Sequence, residues 1–177
     1  MTESKIADMA LSNPKTISAL GCVGIIMVAL STFTRPTALV IYNPTPSEPI
    51  GFYRYSTAKP APGELISFKV PEPGRAYAAQ HLAYVLRWSI LKEIAAGQGS
   101  TVCADHAVVS IDGRARATIA DHDQQGHPLP HWQGCRRLGA GEYFAFSNRI
   151  PNSYDSRYYG PVSSRQVLGV YAPLWTW

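Results

Sequence analysis

Read for its apolar and polar positions, the chain changes character near residue 35. A polar segment carrying Lys5 and Lys15 comes first, followed by an uncharged run, ISALGCVGIIMVALSTF, from Ile17 to Phe33. About 17 residues at helical rise is close to the shortest stretch that crosses a bilayer. Residues 1–15 therefore read as a cytoplasmic tail and residues 16–34 as a transmembrane anchor. The alternative is a secretory signal segment with Ala29-Leu30-Ser31 as its small-x-small cleavage site. The length of the polar segment favours the anchor, and both readings send residues 35–177 across the membrane. Lys5 and Lys15 on the near side agree with that orientation, offset in part by Arg35.

Beyond Arg35 the apolar runs become short, β-branched and aromatic. Leu39–Tyr42, Gly51–Tyr55, Leu65–Val70, Val108–Ile111, Tyr143–Phe146 and Gln166–Tyr171 read as strands. Turn signals separate them: Pro62-Gly63, Pro73-Gly74, Asp112-Gly113 and the glycines at 139 and 141. The segment Ala76–Ile94 differs, because Ala79, Leu82, Ala83 and Leu86 share a face at helical spacing in its first half. The expectation is a mainly β domain with one helical insert, preceded by a membrane helix.

Composition narrows this picture only a little. Hydrophobic residues make up 46% of the 177 and charged residues 16%, too apolar for a disordered chain. The net charge of +4 is scattered, without a basic block or helix face, so nucleic acid is not an expected partner. Of the three cysteines, Cys22 sits in the apolar run and reads as a small hydrophobe. Cys103 and Cys135 flank a turn-rich stretch and are expected to form a disulfide if the domain lies outside the cytoplasm.

The candidate chemistry is sparse. His122, His127 and His131 lie with Asp121 and Asp123 in a proline-broken loop that fixes no ligand geometry, so the loop reads as ordinary surface and no metal is expected. Neither a G-x-S-x-G elbow nor a nucleotide-binding glycine loop is present. One serine stands out. Ser47 lies in NPTPSEPIG, residues 43–51, where Pro46 and Pro49 fix the backbone on both sides and Gly51 permits a turn. Such a loop holds a nucleophile in one orientation; taken alone, it better suits a hydroxyl that caps a turn.

The far end of the chain changes that balance. Ser153-Tyr-Asp-Ser-Arg-Tyr-Tyr-Gly-Pro-Val162 has the pattern S-x-D-S-R-x-x-G-x-V, which closely resembles the C-terminal signature of the type I signal peptidase superfamily. The S-x-P-x-G-x-Y around Ser47 resembles that superfamily's nucleophile motif in its TraF-type conjugative-transfer variant. The segment PGELISFKVP from Pro62 to Pro71 is similar to the strand that follows, LKEIAAGQG from Leu91 resembles the general-base segment, and the stretch from Asp112 to Phe144 resembles the subfamily's exported-side insert. The resemblance runs in order over nearly the whole chain. It implies a signal-peptidase-like β domain in which Ser47 forms an acyl-enzyme and Lys92 is the base. It also implies that Thr45 joins the Ser47 amide in binding the oxyanion, that Ser153 positions the lysine amine, and that Asp155 and Arg157 hold the C-terminal segment against the site. No cofactor is implied.

One departure is Glu93, where the family has a second basic residue. A nearby carboxylate favours the charged amine, but on a strand Glu93 is expected to face away from Lys92. Lys92 itself needs its pKa lowered by roughly three units to act as a base near neutrality. Its context, WSILKEIA, is the most apolar around any downstream lysine, with Lys69 as the local rival and Lys59 in a solvated turn.

The resemblance further implies a pilin precursor as substrate and other conjugative transfer proteins as partners. It places the anchor in the bacterial inner membrane and the catalytic domain in the periplasm. A general signal peptidase with the same chemistry, or a non-catalytic periplasmic scaffold of a conjugation or secretion complex, stays open at this level. Whether the acyl-enzyme is resolved by water or by the substrate's own amine, closing a ring, also stays open.

Overall fold

The computed structural model describes residues 37–177 apart from His106. The anchor expected at residues 16–34 and the tail ahead of it lie outside the described residues. Among those described, no helix is long and apolar enough to cross a membrane.

The short apolar runs pair as antiparallel strands in two sheets. The larger contains β1 (Val40–Asn43), β2 (Gly51–Ser56), β3 (Leu65–Phe68), β4 (Ile90–Ala96), β9 (Glu142–Ala145), β10 (Val162–Ser163) and β11 (Val167–Thr176), in the order β1-β2-β11-β3-β4-β9-β10. The smaller contains β5 (Thr101–Asp105), β6 (Val108–Ile111), β7 (Arg114–Thr118) and β8 (Gly134–Arg137), in the order β7-β6-β5-β8. Alternation along the strands selects their inner faces, and Ile66, Phe68, Ile94, Val102, Val109, Phe144, Val162 and Val170 form one continuous core. The long C-terminal strand β11 bridges the sheet, pairing with β2 on one side and β3 on the other.

The glycine of the Ser47 motif has a specific structural reason. Gly51 opens β2 at φ +148°, and a Cβ there would run into the Trp175 carbonyl and the Thr176 Cα of β11. The motif therefore requires glycine because two backbones meet at that point.

The helical insert begins earlier than the apolar pattern suggests, and it is broken. Helix α1 spans Glu72–His81 and helix α2 spans Ala83–Arg87. Pro73-Gly74 belongs to the first turn of α1, where a proline removes no helical hydrogen bond. Leu82, at φ −136° and ψ 44°, interrupts the helix. The periodicity that grouped Ala79, Leu82, Ala83 and Leu86 assumed one unbroken helix; α1 instead buries Gly74, Tyr77 and Ala78, and α2 buries Val85. Strands β5, β7 and β8 were not visible in the hydrophobic pattern, since β7 and β8 are almost wholly exposed.

One further expectation is resolved in the described region. Cys103 and Cys135 stand directly opposite one another on β5 and β8 and are joined by a disulfide. The terminal tryptophans do not pack into the core: Trp175 and Trp177 are about two-thirds exposed and form an aromatic surface cluster with Tyr42 and Phe52.

Candidate active site

The loop between β1 and β2 carries Ser47 inward, against β4, although β1 and β4 are not neighbours in the sheet. Lys92, in the middle of β4, points to the same place, and its Nζ donates to Ser47 Oγ at 2.6 Å and to the Leu91 carbonyl at 3.0 Å. Both residues are buried, at 4% exposure each. Alternation along β4 puts the next side chain, Glu93, on the exposed side. The rival Lys69 is exposed and donates to the Trp88 carbonyl. The exposed Lys59 lies away from the strands.

Burial sets the state of the amine. Loss of solvent pushes the Lys92 pKa below the ordinary lysine value, and the positive Arg157 adds to that direction. The negative charges of Asp155 and Glu48 oppose it. Desolvation is the largest of these effects, so the neutral amine is more accessible here than on a solvated lysine.

Three residues that did not stand out in the sequence shape this site. Asn43, buried at the end of β1, is the organiser of the Ser47 loop. Its Nδ2 donates to the carbonyls of Thr45, Glu48 and Pro49 at 2.9–3.1 Å, and its Oδ1 accepts from the Thr45 hydroxyl at 3.0 Å. Ser147, just after β9, donates its hydroxyl to the Ser47 carbonyl. Glu48 is buried beside the dyad, and desolvation raises its carboxyl above the ordinary range, with Lys92 pulling the other way. The sequence had pointed to Glu93 as the carboxylate of concern, whereas the carboxylates that act on Lys92 are Asp155 first and then Glu48. The signal for Asn43 was present: an Asn two residues ahead of a Pro-braced hydroxyl pair is suited to bonding the backbone of its own turn.

Thr45 Oγ1 lies 3.2 Å from Ser47 Oγ, on the rim of the same pocket. Asp155 and Arg157 form a buried, two-pronged ion pair, with Arg157 Nε 2.8 Å from Oδ1 and Nη2 2.9 Å from Oδ2. The pair reaches the site through Ser147: Asp155 accepts its backbone N–H, and Arg157 donates to its carbonyl and to that of Ser153. Asp155 also caps the short helix α3 (Ser156–Tyr159). Ser153 is buried and lines the pocket, but its hydroxyl makes no hydrogen bond among the described residues.

A groove of about 1010 Å³ opens onto Ser47 and Lys92. Its walls include Ile41 and Tyr42 of β1, Tyr84, Val85 and Trp88 around α2, and Leu168 of β11. The groove thus brings a buried hydroxyl and amine into a mostly apolar lining. Chemically, this arrangement offers a nucleophile hydrogen-bonded to a desolvated base.

Comparison with known proteins agrees with the motifs. A family model described as signal peptidase, peptidase S26, matches residues 15–176. The plasmid transfer protein TraF of Escherichia coli is 30% identical over 145 residues, covering 76% of this chain and 82% of that protein. The conjugal transfer protein TraF of Agrobacterium fabrum (strain C58 / ATCC 33970) is 28% identical over 144 residues, covering 76% and 81%. Among solved structures, a signal peptidase I from Enterococcus faecalis V583 aligns with 65% of this chain and 98% of its own at 22% identity and a TM-score of 0.38, a likeness too weak to argue from.

Proposed function

Because the chain belongs to the signal peptidase family S26 and is TraF-like within it, we propose that it is a membrane-anchored serine endopeptidase that matures a pilin precursor for conjugative transfer. The observation that carries this reading is the 2.6 Å hydrogen bond between Lys92 Nζ and Ser47 Oγ in a buried setting.

In the proposed reaction neutral Lys92 takes the Ser47 proton as the hydroxyl oxygen attacks the scissile carbonyl. The resulting oxyanion is stabilised by the Ser47 amide and by the Thr45 hydroxyl, which turns its proton from Asn43 Oδ1 as charge develops, a contribution typically of about 3–4 kcal/mol per donor. Lys92 then returns the proton to the departing amine, leaving an ester on Ser47. Water or a substrate amine resolves that ester, with Lys92 again accepting the attacking group's proton. Ser153 lines the same groove with its hydroxyl unengaged by the protein, which leaves it free to meet the Lys92 amine once that amine leaves Ser47. Asp155 and Arg157 act indirectly, by fixing Ser147 and through it the Ser47 backbone.

The disulfide supports a periplasmic location, because such bonds persist in oxidising compartments. The apolar run at residues 17–33 supports anchoring in the inner membrane, which keeps the groove near emerging precursors. Purified full-length Ser47→Ala and Lys92→Ala variants test the reading. Each is expected to lose precursor cleavage by about 10³-fold or more while keeping the wild-type fold. Undiminished cleavage by either would overturn the dyad, and no cleavage by the purified wild type would favour a scaffold. Mass spectrometry of pilin from matched strains tests the substrate: an unprocessed precursor is expected only in the deletion strain, and a mature mass lower by one water identifies ring closure.

A further inference from the structure

Away from the dyad, folding gathers groups that the sequence kept apart. His127 and Asp123 lie in the loop that follows β7, while His81 is the last residue of α1. Each offers one ligand atom, and the three atoms lie within 4.8 Å of one another. In sequence the loop histidines lacked a fixed frame; α1 supplies one.

The carboxylate at the centre is already held in place. Asp123 Oδ1 accepts the backbone N–H groups of Gln125 and His127 at 2.8 and 2.9 Å. Its Oδ2 accepts the Tyr77 hydroxyl at 2.6 Å and lies 2.9 Å from His127 Nδ1. The His81 and His127 rings meet at a tilt with centroids 4.1 Å apart, and the Tyr77 ring packs against His81 at 4.8 Å. Such outer partners orient ligands at metal sites. Two imidazoles and a carboxylate suit a borderline-soft divalent ion, and none of the three side chains is more than half-buried, which leaves the cluster open to water as a fourth ligand. Tetrahedral zinc with bonds near ~2.1 Å needs ligand atoms roughly 3.4 Å apart. The Asp123–His127 pair is already inside that spacing, and His81, at a helix end next to the break at Leu82, has at most about 1.4 Å to close.

We propose that His81, Asp123 and His127 form a binding site for a zinc-like divalent cation. The bound ion replaces the proton between His127 and Asp123 and clasps the end of α1 to the loop. The clasp lies on the far side of the groove wall from the dyad, since Leu82 and Gln124 line both the groove and a cavity of about 330 Å³ bordered by Tyr77 and Asp123. It takes no part in acyl transfer, so the proposal stands independently of the peptidase reading.

The test is calorimetric titration of ZnCl₂ into the tag-free full-length protein, stripped with chelator, at neutral pH. One saturable site per chain is expected, and saturating zinc is expected to raise the melting temperature. His81→Phe keeps the packed ring and removes both nitrogens; it is expected to weaken binding by tenfold or more while melting like the metal-free wild type. His81→Gln serves if the Phe variant melts early, and Asp123→Asn should weaken binding as well. No saturable binding, or binding of wild-type strength in these variants, would overturn the site and leave the cluster a hydrogen-bonded aromatic latch.

Discussion

In the larger sheet the strands around Ser47 are tied by buried polar groups: Asn43 bonded to its own loop, Ser147 to the Ser47 carbonyl, and the Asp155–Arg157 pair to Ser147. In the smaller sheet the outer strands are nearly bare, and a disulfide between facing residues of β5 and β8 does the fastening. The contrast is instructive. Hydrogen bonds have direction and can aim a hydroxyl at an amine, whereas a disulfide restricts the unfolded chain without aiming anything. A site that depends on atomic placement is therefore built on the first device, and the exposed sheet is left to the second.

The comparison makes predictions that rank by size. Arg157→Ala leaves Asp155 buried without its partner and should cost about 3–5 kcal/mol of stability in urea denaturation. Arg157→Lys should recover little of it, since an ammonium cannot reproduce the two-pronged contact. A small loss in both would show that the polar network is not what holds the larger sheet. Replacing Cys103 and Cys135 together by Ser should cost about 3–4 kcal/mol in the chain-entropy model. Cleavage per folded molecule should stay within about twofold of wild type. A large fall in that rate at full folding would break the division between the two sheets.

Asn43→Ala should lower stability least, by about 1–2 kcal/mol. Its effect on kcat should be larger, about 10–100-fold, with KM nearly unchanged, because it positions the nucleophile without lining the core. Steady-state kinetics of the folded variant would separate this from a general loss of structure, which would lower the active fraction and leave kcat per folded molecule intact.

The same contrast explains how much was legible beforehand. Strands β2, β3, β6, β9 and β11 were readable to within a few residues because each is a short β-branched or aromatic run that buries side chains between turn signals, apart from the C-terminal extension of β11. Strands β7 and β8, with little buried surface, left no such imprint. The helix face was misplaced because a single break at Leu82 resets the periodicity. Within the site, Ser47 was marked by its prolines, and Lys92 mostly by the likeness of LKEIAAGQG to the family's general-base segment, with its apolar flanks as support. Ser147 was not, since its role rests on a contact spanning 100 residues along the chain. Glu48 was overlooked for a related reason: its burial against Lys92 depends on how the loop docks, whereas Glu93 was conspicuous only by being adjacent in sequence.

The central claim is that a desolvated Lys92 activates Ser47, and it predicts a specific dependence on pH. With the lysine pKa lowered, the amine carries its proton at low pH and cannot accept another. Acylation should therefore rise as pH increases through that lowered value and level off well before the ordinary lysine pKa of ~10.4. The direct measurement is the rate at which a fluorophosphonate probe labels the protein as a function of pH, with the adduct mapped by mass spectrometry. The account predicts an adduct on Ser47, a rise with its midpoint clearly below the ordinary lysine value, and loss of both speed and pH dependence in Lys92→Met. Labelling of Lys92→Met at the wild-type rate, or a wild-type midpoint at the value of a solvated lysine, would contradict it.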